Sequence, residues 1–215
     1  MTSQAFFAMA CLTVVAPMAL AGHPTGETIS KSTTIESAFP FTRGTNEAEV
    51  GVGTYWSIGT KGDAERPNMA FGVGAVSYGW MISDIHGDGI CRGNWEFLLS
   101  AFGGGIFDGP GDKLAGGGFA FRYNFVRPDA AIIPFIQLGA GGVYSDAAND
   151  DAEQRLLGSD WSFDLQGGLG LRFMTSERFA ITLKAEYRHF SNAGIADRNH
   201  GLNNLGGVLG MSFFY

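Results

Sequence analysis

The sequence predicts an all-β protein, an eight-stranded antiparallel transmembrane up-and-down β-barrel, and three observations carry that reading. Eight segments alternate apolar and polar residues with a period of two, the signature of strands with two different faces. Charged residues make up only 16 % of the 215-residue chain, whereas Gly (33) and Phe (18) are abundant. No stretch after residue 22 is the run of roughly 20 apolar residues that a membrane helix needs. Strands with one face in lipid and the other in a narrow, polar lumen account for all three.

Taken in order, the chain opens on a segment that reads as a signal peptide, residues 1–21. Ala5 to Ala21 is apolar, and Ala19-Leu20-Ala21 is a small-residue cleavage site before Gly22. Its first four residues depart from the pattern, since they contain no Lys or Arg. Residues 22–46 are polar and without clear period, and are expected to form a periplasmic N-terminal extension; 47–215 is the expected barrel. The strand segments are 47–58, 69–82, 93–106, 115–126, 132–144, 161–174, 178–191 and 204–215.

The sixth and seventh segments are the clearest. Trp161, Phe163, Leu165, Leu169, Leu171 and Phe173 share one face of the sixth, opposite Ser162, Asp164, Gln166 and Arg172. Phe179, Ile181, Leu183, Ala185 and Tyr187 share one face of the seventh, opposite Arg178, Thr182, Lys184, Glu186 and Arg188. The polar face is too charged for a sandwich core and the apolar face too continuous for water. Lipid outside and a polar lumen inside satisfy both. Trp161, Phe173, Phe179 and Tyr187 are placed for interfacial aromatic girdles. Eight strands leave room only for side chains, so Glu49, Glu96, Arg122, Asp164, Arg172, Lys184 and Glu186 are expected to pair inside, and no pore is expected.

The connections agree with this topology. With the N-terminus in the periplasm, the links 127–131 and 175–177 are short periplasmic turns, and 145–160 and 192–203 are long outer loops. The link at 83–92 is longer than that rule prefers. The chain ends Met211-Ser212-Phe213-Phe214-Tyr215, an alternating strand closed by an aromatic, similar to the C-terminal signal of outer-membrane barrels. The bacterial outer membrane is therefore the expected location.

Composition also excludes partners. A net charge of −7 without a basic stripe argues against nucleic acid. Cys11 lies in the leader, so Cys91 alone cannot form an internal disulfide, and no zinc-ligand spacing surrounds it.

One constellation could carry chemistry. His189 and Ser191 stand two apart at the end of the seventh segment and so project from one face, by parity the lipid-facing one. Eleven residues separate Arg178 from His189. At roughly 3.3 Å per residue and roughly 40° of tilt this is about 28 Å along the membrane normal, against an apolar band of about 25 Å. The pair is expected at the outer interface, beside the headgroups. Serine attacks an ester only when a base removes its proton, and histidine is that base near neutral pH. The bland reading is a strand end emerging among headgroups, where polar residues are common.

The surrounding run is more specific. Glu186-Tyr187-Arg188-His189-Phe190-Ser191-Asn192-Ala193-Gly194-Ile195, followed by Asn199-His200-Gly201-Leu202-Asn203, resembles the lipid A 3-O-deacylase family (PagL type) of eight-stranded outer-membrane barrels. The family's His-x-Ser-Asn-Ala-Gly and Asn-x-Gly stand here unbroken, and a looser resemblance includes Arg92-Gly93-Asn94-Trp95-Glu96-Phe97-Leu98. The resemblance implies a serine esterase that removes the 3-hydroxyacyl chain from position 3 of lipid A in lipopolysaccharide. Ser191 would be the nucleophile and His189 the general base, then the general acid. The turn from Asn192 to Gly194 would offer oxyanion donors, with the Asn199 side chain assisting. No metal or cofactor is implied. The expected partner is lipid A in the outer leaflet, with a homodimer left open.

One departure from the family's pattern matters. Twelve residues after the serine the family's triads have glutamate, and here stands Asn203. An asparagine oxygen can orient a histidine but brings no full charge. Asn203 as orienter, Asp197 as a substitute carboxylate and a silent site are the three readings. Glu186 is a poor substitute, because its parity points it into the lumen, where it reads as an ion-pair partner for Lys184 or Arg188. The alternative function is a non-catalytic barrel with structural or ligand-binding loops. Elsewhere, Asp146, Asp150, Asp151 and Glu153 make an acidic outer loop, read as solvated before cation-binding. His86 and His200 are lone histidines. Gly103–Gly105 and Gly116–Gly118 lack the Lys-Ser/Thr ending of a phosphate loop and are read as points of close packing within strands.

Overall fold

Every alternating segment forms a strand in the structure, a computed structural model that describes residues 39–58, 68–150, 157–196 and 201–215. The strands are β1 (Asn46–Ser57), β2 (Ala70–Met81), β3 (Asn94–Asp108), β4 (Lys113–Asn124), β5 (Ile132–Ser145), β6 (Trp161–Met174), β7 (Phe179–Ser191) and β8 (Leu202–Phe214). Each bound lies within two residues of its sequence expectation. Consecutive strands pair antiparallel, and β1 also pairs with β8, from Glu47 opposite Phe214 to Ser57 opposite Asn204. The sheet therefore closes and leaves no edge strand, the condition for spanning lipid with strands. The start of β1 and the end of β8 define a terminal end; β7 runs away from it and finishes at the opposite, far end.

Period two fixes which side chains go where. On β7, Phe179, Ile181, Leu183 and Tyr187 are exposed on the barrel exterior, whereas Ala180, Thr182, Glu186, Arg188 and Phe190 are buried in the lumen. Leu183 is 53 % exposed and its neighbour Thr182 only 1 %. Such a surface is stable against hydrocarbon and unstable against water.

The lumen is filled in three layers. Phe41, Met81, Val126, Ile133, Ala180 and Phe214 close the terminal end. Phe41 belongs to the segment expected to be an extension, and it packs on Phe214 with ring centroids 5.9 Å apart. A second apolar cluster, built around Tyr55, Phe71, Phe102, Leu157, Phe190 and Leu202, closes the far end. Between them lie the charges. Arg172 Nη2 donates to both oxygens of Glu47, at 2.9 and 2.8 Å, and Arg122 reaches Glu47 at 3.4 Å and Glu49 at 3.3 Å. Lys184 pairs with Glu186, and Arg188 with Asp164. All seven residues expected to pair inside do so, and Glu47 and Arg188 join them.

The glycine runs are points of close packing. A Cβ on Gly104 would collide with the Gly72 carbonyl oxygen, and one on Gly118 with the Ala140 carbonyl oxygen. At the far end, Asp146 Oδ1 accepts the backbone N–H of Asp112 and of Lys113, at 2.9 and 3.0 Å. Partial burial opposes its ionisation, but these N–H donors outweigh it and hold the carboxyl below the usual carboxylate range. This acid of the loop after β5 ties two far-end loops together.

Candidate active site

The last turn of alternation on β7 carries the site. His189 and Ser191 are half-buried and continue the exterior face of Ile181, Leu183 and Tyr187, while Arg188 and Phe190 between and beside them point inward. Both side chains thus leave the barrel wall outward, as parity requires. Phe190 and Leu202, on the facing strands, are fully buried behind the site, and Phe190 stacks on Phe71 at 5.8 Å. That packing pins the ends of β7 and β8, so the outward-facing residues sit on a fixed base.

The register brings Asn203 to the histidine. His189 lies directly opposite Asn203 on β8 and opposite Leu165 on β6; Ser191 lies opposite Phe163. Directly opposite residues have Cβ atoms about 5 Å apart, close enough for an imidazole and an amide to meet. Asn203 Oδ1 stands 2.7 Å from His189 Nδ1. An amide oxygen only accepts, so Nδ1 carries the hydrogen and Nε2 keeps its lone pair. The same Oδ1 accepts the hydroxyl of Tyr187, also at 2.7 Å. Among the described residues no hydrogen bond joins the Ser191 hydroxyl to His189.

After Ser191 the backbone turns sharply. Ala193 and Gly194 have φ of 53° and 80°, and Asn192 is buried. The Gly194 N–H donates to Asn192 Oδ1 at 3.0 Å and the Ile195 N–H to Asn192 O at 3.0 Å, so Asn192 shapes the turn with both its oxygens. A left-handed alanine costs about 1 kcal/mol or more, and such strain gathers at functional turns. Asn199, Asp197 and His200 lie outside the described residues. Glu186 is in the lumen, where it accepts the Tyr55 hydroxyl at 2.7 Å.

Two residues were given no chemical role on the sequence alone. Tyr187 reads there as a girdle aromatic, yet its hydroxyl reaches Asn203. Gly201 reads as part of a signature, and the structure gives the reason for it. Its φ is +70°, and a Cβ there would stand 2.9 Å from His189 Cε1. Only glycine lets the imidazole edge rest on the backbone. The signal for both is cross-strand: Tyr187 is diagonal to Asn203, and Gly201 immediately precedes the strand that faces His189.

The surroundings are apolar. Trp161, Phe163 and Leu165 on β6, Leu205 on β8 and Ile195 in the turn are all exposed around the pair. Among the described residues, no group of three or more His, Cys, Asp or Glu is placed to hold a metal ion.

Comparison with known proteins gives the family and the fold. The family model described as lipid A 3-O-deacylase (PagL) matches residues 76–212. A search of curated proteins finds no match. The chain is similar to the crystal structure of the outer-membrane enzyme PagL, at 19 % identity and a TM-score of 0.51, over 76 % of this chain and 97 % of that one. It is similar to the N-terminal β-barrel domain of Pseudomonas aeruginosa OprF, at 14 % identity and a TM-score of 0.52, over 80 % and 98 %. Neisserial surface protein A matches at 16 % identity and a TM-score of 0.50, over 80 % and 96 %. At these identities the likeness to the solved structures is one of fold.

Proposed function

Because this chain belongs to the lipid A 3-O-deacylase (PagL) family of the bacterial outer membrane, we propose that it hydrolyses the position-3 ester with Ser191 as nucleophile, His189 as general base and Asn203 as the residue that orients the histidine. Ser191 Oγ attacks the ester carbonyl while His189 Nε2 takes its proton. Negative charge gathers on the carbonyl oxygen, which lies against the turn from Asn192 to Gly194. There the Gly194 N–H exchanges its Asn192 partner for the oxyanion, with Asn199 assisting; one such donor is worth roughly 3 kcal/mol of barrier. The tetrahedral intermediate then expels the sugar hydroxyl, protonated by the imidazolium. Water, deprotonated by the same histidine, releases the 3-hydroxy fatty acid and restores Ser191. The Asn203 oxygen steadies the imidazolium through its dipole, with no full charge. Catalytic hydrogen bonds that are long without substrate tighten when it binds.

The observation that supports this reading best is the 2.7 Å contact of His189 Nδ1 with Asn203 on the exterior face. The hydrogen it implies on Nδ1 leaves the other nitrogen as a base. The far end is the extracellular one in this proposal, which puts the site at the outer leaflet with the acyl chains already beside it. Exposed Trp56, Phe107 and Trp161 around that end suit a membrane interface. Every residue of the machinery comes from one barrel, so the mechanism needs no second copy of the chain.

The test is the mass of lipid A from cells expressing the chain. Wild type is expected to remove one 3-hydroxyacyl group, and Ser191→Ala and His189→Ala to remove none while still inserting as folded barrels. Unchanged lipid A with folded wild type at the surface would favour a non-catalytic barrel.

A further inference from the structure

We propose that Tyr187 is a positioning residue: by donating its hydroxyl to Asn203 Oδ1, it holds the amide with its oxygen toward His189 and so sets the imidazole tautomer that catalysis needs. The inference rests on the hydrolytic reading above and deepens it. Two donors, the Tyr187 O–H and the His189 Nδ1–H, converge on one oxygen at 2.7 Å each. That oxygen has two lone pairs, and the two contacts use both.

The need arises from the amide. A carboxylate offers oxygen whichever way it turns, but asparagine has an oxygen on one side and an NH2 on the other. Turned over, Asn203 would donate from its NH2 to Nδ1. The imidazole hydrogen would then sit on Nε2, which would point a donor at the serine and could take no proton from it. Something must favour the oxygen-inward orientation. A phenol is the suitable partner, because its lone pairs are delocalised into the ring and it donates far better than it accepts. It therefore prefers the amide oxygen to the NH2. Geometry lets it act: Tyr187 and His189 are two apart on the exterior face of β7, Asn203 is opposite His189, and Tyr187 is diagonal to it. The Tyr187 ring alone would serve as an interfacial aromatic, and a phenylalanine would do that equally well. The hydroxyl is the atom that distinguishes the two roles.

The experiment compares Tyr187→Phe, Asn203→Asp and the double variant, with Ser191→Ala as control, using purified folded barrels and lipopolysaccharide in detergent micelles. Tyr187→Phe is expected to lower kcat by about tenfold or more, as loss of an orienting partner does, with KM unchanged. In the Asn203→Asp background, where either carboxylate oxygen serves, the same change is expected to cost less than about twofold, since partners in one network couple. The nitrogen chemical shifts of 15N-labelled His189 supply a readout apart from rate. Wild type is expected to hold the neutral ring with hydrogen on Nδ1, and Tyr187→Phe to hold a mixture. A full-rate Tyr187→Phe beside a dead Ser191→Ala would overturn the role of tyrosine and leave the esterase intact. So would an equal loss from Tyr187→Phe in both backgrounds, or an unchanged tautomer. An active Ser191→Ala would instead remove the hydrolytic reading itself.

Discussion

At the scale of single residues, the site depends on an imidazole held from two directions. Asn203 fixes its Nδ1, and the bare Cα of Gly201 supports its far edge. Gly201→Ala brings two faults, a left-handed alanine costing about 1–2 kcal/mol and a methyl group driven into the ring. We expect it to lower kcat by roughly 100-fold, since an ångström of displacement at a reacting group costs about that much. The folded barrel should persist, seen as migration on gels that changes only after boiling. A fast Gly201→Ala variant would show that the imidazole does not rest there during turnover. His189 and Ser191 were legible in the sequence because parity is local: two residues apart on a strand means one face. Tyr187 and Gly201 were not, because their contacts cross to another strand and depend on register.

At the scale of elements, each strand resolves one conflict, an apolar face for lipid and a polar face that needs partners. The alternation was legible along β6 and β7, and the seven charged side chains expected to pair inside all do so, whereas Arg178, just before β7, is exposed. Which carboxylate meets which arginine was not legible, since Glu47 and Arg172 are 125 positions apart and meet only when the barrel closes. Removing one member of such a buried pair leaves a bare charge and costs about 3–5 kcal/mol. Arg172→Met is expected to lose stability of that order in urea unfolding from lipid vesicles, because Glu47 Oε1 loses its arginine donor and Oε2 keeps only the longer contact with Arg122. Adding Glu47→Gln should restore part of it. A single variant as stable as wild type would mean that Arg122, also on Glu47, suffices alone.

At the scale of the whole molecule, two apolar clusters seal a charged interior. The cavity among Glu49, Tyr55, Arg122, Gln166, Lys184 and Arg188 has a volume of about 40 Å³, room for only a few waters at about 10–15 Å³ each. Added to planar lipid bilayers, the protein is therefore expected to give no conductance steps. Steady open-channel current would mean that the clusters part in the membrane. With its interior full, the barrel has its exterior left for chemistry, which suits a substrate whose acyl chains already lie in the leaflet. By itself the sequence determined the class of the fold, the bounds of the strands and the outward direction of His189 and Ser191. Period two is written in consecutive residues, and lipid enforces it. Only the tertiary structure decided that Asn203 stands opposite the histidine, that Tyr187 shares its oxygen and that Gly201 underlies the ring. Those contacts are fixed by strand register, which closure of the sheet sets and no single segment contains.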